Sequence, residues 1–292
     1  MAPMALDLGA ILTAMVTPFD SRGELDEETA VRLMDHLLNH GSDGIVLCGT
    51  TGEAATLSDE EKLRLIGLGV QEARRSHPEA TIMAGVGHND TRHTVKLTER
   101  ATELRPDALL VVNPYYNKPS RTGIIRHFEE VAKATDLPMV LYNIPQRTAQ
   151  DMPNDLLSEL AQIDNVMAVK QANPQNLAKV EGLAIYAGND DLLADVLDLS
   201  EPGGVLVASH VVGEEMRRMV DEPDRRHEID QSLHDVYREL AVAPLACSVK
   251  AALSFIGIDV GIPRLPYVEL DESERETVRR LLDRHGLLAT AA

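Results

Sequence analysis

Lys170 closes the apolar run Val166-Met167-Ala168-Val169, a setting that suits a solvated lysine poorly. Burial disfavours the ammonium, lowers its pKa and frees a neutral amine to attack a carbonyl. The same position also fits a lysine that snorkels out of a strand end or pairs with a carboxylate. Tyr142 ends another apolar run. Its hydroxyl could carry protons to and from a carbinolamine, or simply be the satisfied polar end of a half-buried ring. Gly49-Thr50-Thr51-Gly52-Glu53 follows a third run. Gly49 and Gly52 let backbone amides approach a ligand, Thr50 and Thr51 add hydroxyls, and amides in such a turn favour a carboxylate. A plain strand-to-helix turn would look similar. Arg147 could fork onto a second carboxylate or be an ordinary surface residue. The chain has six tyrosines, three phenylalanines and no tryptophan, yet Tyr115, Tyr116 and Tyr142 all stand at predicted strand ends.

The elements that would position these residues follow from periodicity. Apolar runs rich in Val, Ile and Leu recur at residues 10–16, 44–48, 81–86, 108–113, 139–143, 166–170, 184–188 and 204–208. Most are continuous rather than alternating, as expected for parallel strands buried on both faces. Amphipathic segments separate them. Ser58-Asp59-Glu60-Glu61 predicts a capping box, Leu33, Met34, Leu37 and Leu38 a helical face stopped at Gly41, and Pro153 a first-turn proline. Eight strands with seven helical segments between them predict an α/β fold, a (β/α)8 TIM barrel; a doubly wound sheet usually has fewer strands. Helices expected near 214–222, 225–240, 248–257 and 271–285 exceed what closure needs. They imply a C-terminal helical appendage packed on the barrel's side. The expected division is residues 1–210 for the barrel strands and most barrel helices, and 211–292 for the last barrel helix plus the appendage, as one structural unit. Barrel enzymes work at the C-terminal ends of their strands, where the residues named above fall.

At 292 residues the chain suits one barrel, and a hydrophobic fraction of 44% can fill its core. A net charge of −19 repels phosphate backbones and anionic lipid, so neither nucleic acid nor membrane is an expected partner. Cys48 and Cys247 make no spaced metal or disulfide pattern, and Cys48 in its apolar run reads as a small hydrophobe. The N-terminal stretch has no basic region and carries Asp7 before its apolar part, which makes a poor signal peptide; Pro244, Lys250 and Asp259 interrupt the late apolar segment. A reducing cytoplasm is the expected location. His36 and His40 lack the glutamate of HExxH, and the remaining histidines do not cluster, so no metal is expected. Gly85-Val86-Gly87 is too little of a dinucleotide fingerprint, and no GxxxxGK[ST] or GxSxG occurs. Gly203-Gly204 is a weak hint of a barrel phosphate site, crowded by Glu201, Glu214 and Glu215.

Taken together, GTTGE at 49–53, NPYYNKPS at 113–120, LYNIPQRT at 141–148, AVK at 168–170 and AGND at 187–190 resemble the dihydrodipicolinate synthase family of pyruvate-dependent lyases. The resemblance runs from Ala10 to Leu288, with RLP at 264–266 as a further marker. It implies that Lys170 condenses with pyruvate and that loss of a proton then gives an enamine. It implies that Thr51 and the amides of the Gly49–Gly52 loop hold the pyruvate carboxylate. Tyr142, Thr50 and Tyr116 would form a proton relay, with Tyr116 reaching into a neighbouring subunit of a homotetramer. Arg147 would bind the carboxylate of aspartate-β-semialdehyde, and Gly188 and Leu206 would line the pocket with backbone. The implied product is 4-hydroxy-tetrahydrodipicolinate, made without metal or organic cofactor. Asn89, His93 and Tyr115 match positions of an allosteric lysine site.

Several departures bear on these expectations. Gln171 stands where the family often has glutamate, and Asn189 where aspartate is common. The segment between Lys170 and Gly188 is short, so the sixth helix is expected to be trimmed, and the region after His210 also looks shortened. His93 occupies a place where an acidic residue often receives lysine's ammonium, which implies weak or absent lysine inhibition. Two rivals share the pocket residues: another class I aldolase acting on sugar acids or N-acetylneuraminate, and a non-catalytic keto-acid sensor. The sugar-acid members are expected to lack the Arg147 context and the paired threonines.

Overall fold

Short runs of Val, Ile, Leu and Ala make strands that can be buried on both faces, and a parallel sheet covered by helices provides that burial. In the computed structural model, which describes residues 7–289, these strands are β1 (Ile11–Ala14), β2 (Gly44–Leu47), β3 (Thr81–Gly85), β4 (Ala108–Val112), β5 (Met139–Asn143), β6 (Val166–Gln171), β7 (Ala184–Ala187) and β8 (Gly203–Leu206). They form a closed parallel barrel in chain order, with β8 returning to β1. Closure leaves no sheet edge. The first six residues of the N-terminal stretch read above for a signal peptide lie outside the described residues.

The helices are α1 (Glu27–Asn39), α2 (Asp59–Ser76), α3 (Thr91–Glu103), α4 (Arg121–Ala132), α5 (Pro145–Thr148), α6 (Asn154–Leu160), α7 (Leu193–Asp198), α8 (Ser209–Asp221), α9 (Arg226–Leu240), α10 (Leu245–Phe255) and α11 (Glu272–Arg284). The capping box at Ser58 is present: its hydroxyl accepts from Glu61 N, and the Glu61 carboxylate accepts from Ser58 N. Pro153 differs from expectation by one position. It is the N-cap of α6, with extended ψ of 163°, because its carbonyl starts the helix while its own backbone stays outside. Between β6 and β7 the described residues hold no α-helix at all, only a 3-10 turn at Pro174–Asn176. The barrel therefore has one helix fewer than the seven expected, a larger trimming than the short segment suggested.

Helix α8 starts at the end of β8, five residues earlier than its periodicity indicated, and is broken at Val212 (φ −129°). α9 and α10 pack on α8, and α9, α10 and α11 pack on one another. The segment between α10 and α11 reaches the mouth of the barrel, where Pro266 and Tyr267 line the same cavity as Thr50 and Tyr142. One continuous apolar cluster joins barrel and C-terminal helices. Cys48 and Cys247 are unpaired and buried, and burial pushes the Cys48 thiol up to about 12, which suppresses thiolate chemistry. No helix among the described residues is long and apolar enough to cross a membrane.

No residue of the α11 cap lines the cavity at the barrel mouth, and both of its reciprocal bonds are made, at 2.8 and 2.9 Å. Asp271→Ala is expected to lower stability by about 1 kcal/mol with no change in substrate turnover. Urea unfolding followed by circular dichroism would measure it.

Candidate active site

Strand register brings the two central side chains together. Tyr142 on β5 pairs directly with Lys170 on β6, and Lys170 with Tyr186 on β7. Lys170 is buried at 5% exposure, and its Nζ lies 4.4 Å from the centroid of the Tyr142 ring. Desolvation lowers the Lys170 pKa to about 8; the Asp190 carboxylate opposes that shift and Arg147 assists it. The fraction of neutral, nucleophilic amine near pH 7 is thus much larger than for a surface lysine. Burial pushes the Tyr142 phenol up to about 12, moderated by Arg147 and by the nearby Thr50 hydroxyl. Tyr142 therefore stays protonated at neutral pH and can donate to a developing oxyanion or nitrogen.

The Gly49–Glu53 loop leaves the end of β2 beside Tyr142. Its turn is closed by Glu53 N donating to Thr50 O at 3.1 Å and Ala54 N to Gly49 O at 3.3 Å. The Thr17 hydroxyl donates to Gly52 O at 2.6 Å, and Thr51 is buried while Thr50 is half-buried. Gly49, Thr50, Tyr142 and Arg147 line one cavity of about 650 Å³. Arg147, on α5, is exposed, and among the described residues it forms no ion pair, so its guanidinium is available to an anion in the cavity.

The other expected site residues are placed as follows. Gly188 lies past β7, where a side chain would press on Ala172 N at 2.8 Å, so only glycine allows this approach to the β6 exit. Leu206 ends β8 fully buried, its side chain folded back over Gly204, and the amides that follow it, Val207 and Ala208, bond Asp190. Tyr116 is not brought to Lys170 within the chain: it is 87% exposed, with φ of +74°. His93 and Tyr115 line the outer part of the same cavity, and the Asn89 carbonyl accepts from Asn117 Nδ2 at 2.8 Å. Gly203 and Gly204 begin β8, at the barrel end opposite the site. A side chain on Gly203 would collide with the Ala10 carbonyl, so this glycine pair serves strand packing rather than phosphate.

The sequence pattern of the dihydrodipicolinate synthetase family matches residues 7–285. The chain belongs to that family. It is 40% identical over 282 residues to the 4-hydroxy-tetrahydrodipicolinate synthase of Bacillus velezensis, covering 92% of this chain and 96% of that one. Among solved structures it is similar to a dihydrodipicolinate synthase from Bacillus anthracis, with a TM-score of 0.90 at 37% identity, covering 96% and 99% of the two chains. It is likewise similar to the dihydrodipicolinate synthase of Cyanidioschyzon merolae, solved with lysine bound, with a TM-score of 0.92 at 36% identity and 96% and 99% coverage.

Two features of this dihydrodipicolinate synthetase family member are not apparent from motif reading. Asp190, buried beside the mouth, accepts from Val207 N at 2.8 Å and Ala208 N at 3.0 Å and supplies the negative charge facing Lys170. Burial raises its own pKa, against the pull of the two amides and of Lys170. An acidic residue at the exit of β7 is the signal that could have marked it. Glu53 and Lys250 form a buried ion pair at 2.7 Å beneath the loop. A lysine inside the apolar helix Leu245–Phe255 is the corresponding signal there.

Tyr142→Phe keeps the ring against Lys170 and removes only the hydroxyl. Turnover of pyruvate with aspartate-β-semialdehyde is expected to fall by roughly 10²–10⁴-fold while the melting temperature stays put. Steady-state kinetics beside a thermal melt would check both halves.

Proposed function

We propose that this chain is a Schiff-base lyase that condenses pyruvate with L-aspartate-β-semialdehyde to 4-hydroxy-tetrahydrodipicolinate, on the route to diaminopimelate and lysine. The observation that carries it is the buried, weakly basic Lys170 set against Tyr142 at the mouth of a barrel of this family. The Lys170 amine adds to C2 of pyruvate, and loss of water, with protons passing through Tyr142 and Thr50, gives the imine. The iminium withdraws electrons from C3, which loses a proton to become the enamine. The C3 carbon then attacks the aldehyde carbon of the semialdehyde, whose oxygen takes up a proton. Finally the semialdehyde's own amino group displaces Lys170 from C2, closing the ring and freeing the lysine. One water leaves for each product formed, and no oxidant, metal or organic cofactor enters the balance.

Thr51 and the Gly49–Gly52 amides hold the pyruvate carboxylate in this reading, and the unpaired Arg147 receives the carboxylate of the second substrate. Gly188 and the Leu206 exit close the wall behind them. Tyr116 joins the relay from a neighbouring subunit of a homotetramer; its exposure and its strained backbone support a side chain that is ordered by another copy. The two unpaired thiols fit a reducing cytoplasm. Borohydride added with pyruvate is expected to fix one reduced pyruvate imine on the peptide that carries Lys170. An unmodified protein, or an adduct elsewhere, would contradict the assignment. Trapping without turnover of the semialdehyde would instead favour another aldolase of the same superfamily.

Lysine is expected to inhibit weakly or not at all. His93 Nε2 lies 2.8 Å from the Asp59 carboxylate, the Lys62 ammonium is 3.9 Å from it, and the His88 ring stacks on His93 at 4.3 Å. The Asp59 carboxylate that an incoming ammonium would seek is already engaged. Turnover measured against added L-lysine tests this, and inhibition at low millimolar lysine would overturn it.

A further inference from the structure

We propose that the buried Glu53–Lys250 ion pair is a positioning device for the substrate-carboxylate loop, an inference that rests on the pyruvate-binding reading above. Both residues are almost completely buried, at 2% and 3% exposure. Glu53 ends the Gly49–Glu53 loop in a left-handed conformation (φ 55°, ψ 35°), which a residue with a side chain holds only where surrounding contacts enforce it. The contacts that enforce it come from the far end of the chain. Glu53 Oε1 lies 2.7 Å from the Lys250 ammonium on α10, and Oε2 accepts the backbone N–H of Arg264 at 2.9 Å. Lys250 in turn donates to the Ile262 carbonyl at 3.2 Å and sits 4.2 Å from the centroid of the Phe19 ring. Arg264 contacts the same ring, donates to the carbonyls of Gly23 and Thr56, and forks onto Glu61 at the start of α2.

Each end of the loop's last residue is therefore fixed. Its backbone closes the turn on Thr50, and its carboxylate is held between α10 and the 262–264 segment. A buried ion pair gives little net stability over an apolar pair of the same volume. What it gives here is direction: the carboxylate must meet a fixed ammonium and a fixed backbone N–H at once, and that sets the orientation of the amides and hydroxyls of Thr50 and Thr51. The C-terminal helices thereby act on the pyruvate subsite without touching substrate.

The test is the paired substitution Glu53→Gln with Lys250→Met. It removes both charges, leaves a carbonyl to accept from Arg264 and fills the space of the lysine stem, so no unpaired charge is buried. The KM for pyruvate is expected to rise about tenfold or more, with kcat at saturating pyruvate held within about threefold and the semialdehyde KM within about twofold. A folded double variant with unchanged pyruvate KM, or with a fall in kcat alone, would overturn the positioning role. Should that variant fail to fold, Glu53→Asp keeps the charge and shortens the tether. A raised pyruvate KM in it supports the role and an unchanged one rejects it. Borohydride trapping of the wild-type protein is the control. Failure to trap there sinks the pyruvate reading and the pair's role with it, whereas trapping with an unmoved variant KM sinks the pair's role alone.

Discussion

Desolvation of one ammonium governs the site. Lys170 stands at the end of a strand whose neighbours on both sides are also buried, so its charged form is deprived of water on every side. Holding the pKa near 8 instead of its ordinary value corresponds to roughly 3 kcal/mol of disfavoured charge. Nothing in an apolar barrel would offset that cost entirely, and the protein does not remove it. It moderates it, with the aromatic face of Tyr142 and the carboxylate of Asp190, so that the amine is neither permanently charged nor repelled from the site. Asp190 can play that part only because two backbone amides at the exit of β8 satisfy its oxygen.

The rest of the mouth supplies what a neutral amine needs to select and convert a keto acid. A protonated phenol lies against it, a turn rich in amides and hydroxyls lies to one side, and a guanidinium with no ion-pair partner among the described residues lies farther out. These groups come from β5, from the β2 exit and from α5, elements that meet only because the sheet closes. The C-terminal helices add a second constraint. Through Arg264, Lys250 and Glu53 they press on the loop from outside the barrel, so the appendage belongs to the architecture of the mouth as much as to the barrel's flank.

Much of this is legible in the sequence, for identifiable reasons. Strands buried on both faces leave continuous apolar runs, so all eight are readable to within a few residues, and strand-end positions of Lys170, Tyr142 and the Gly49–Gly52 loop follow from them. Their mutual contact is not readable, because register is a property of the ladder: only pairing shows that Tyr142 and Lys170 lie side by side. The missing helix between β6 and β7 leaves traces in Asn173, Pro174 and Gly182, which are turn formers within a short connection. Glu53 and Lys250 leave none as a pair, since almost two hundred residues separate them and neither contact is periodic. Asp190 sits in plain view in the strand-seven exit, yet its role depends on two amides contributed by another strand. The exposure of Tyr116 is likewise unreadable, because its loop past β4 has no period that separates inward from outward positions.

The depressed basicity of Lys170 is the claim on which the chemistry turns, and it can be measured directly. Lysines labelled with ¹³C at Cε can be titrated by NMR in the substrate-free protein, with Lys170→Arg used to assign the resonance. One lysine is expected to titrate near pH 8, and that resonance is expected to move to a new chemical shift when borohydride fixes pyruvate on it as a secondary amine. A Lys170 resonance that titrates at about 10.4, as solvated lysines do, would contradict the account.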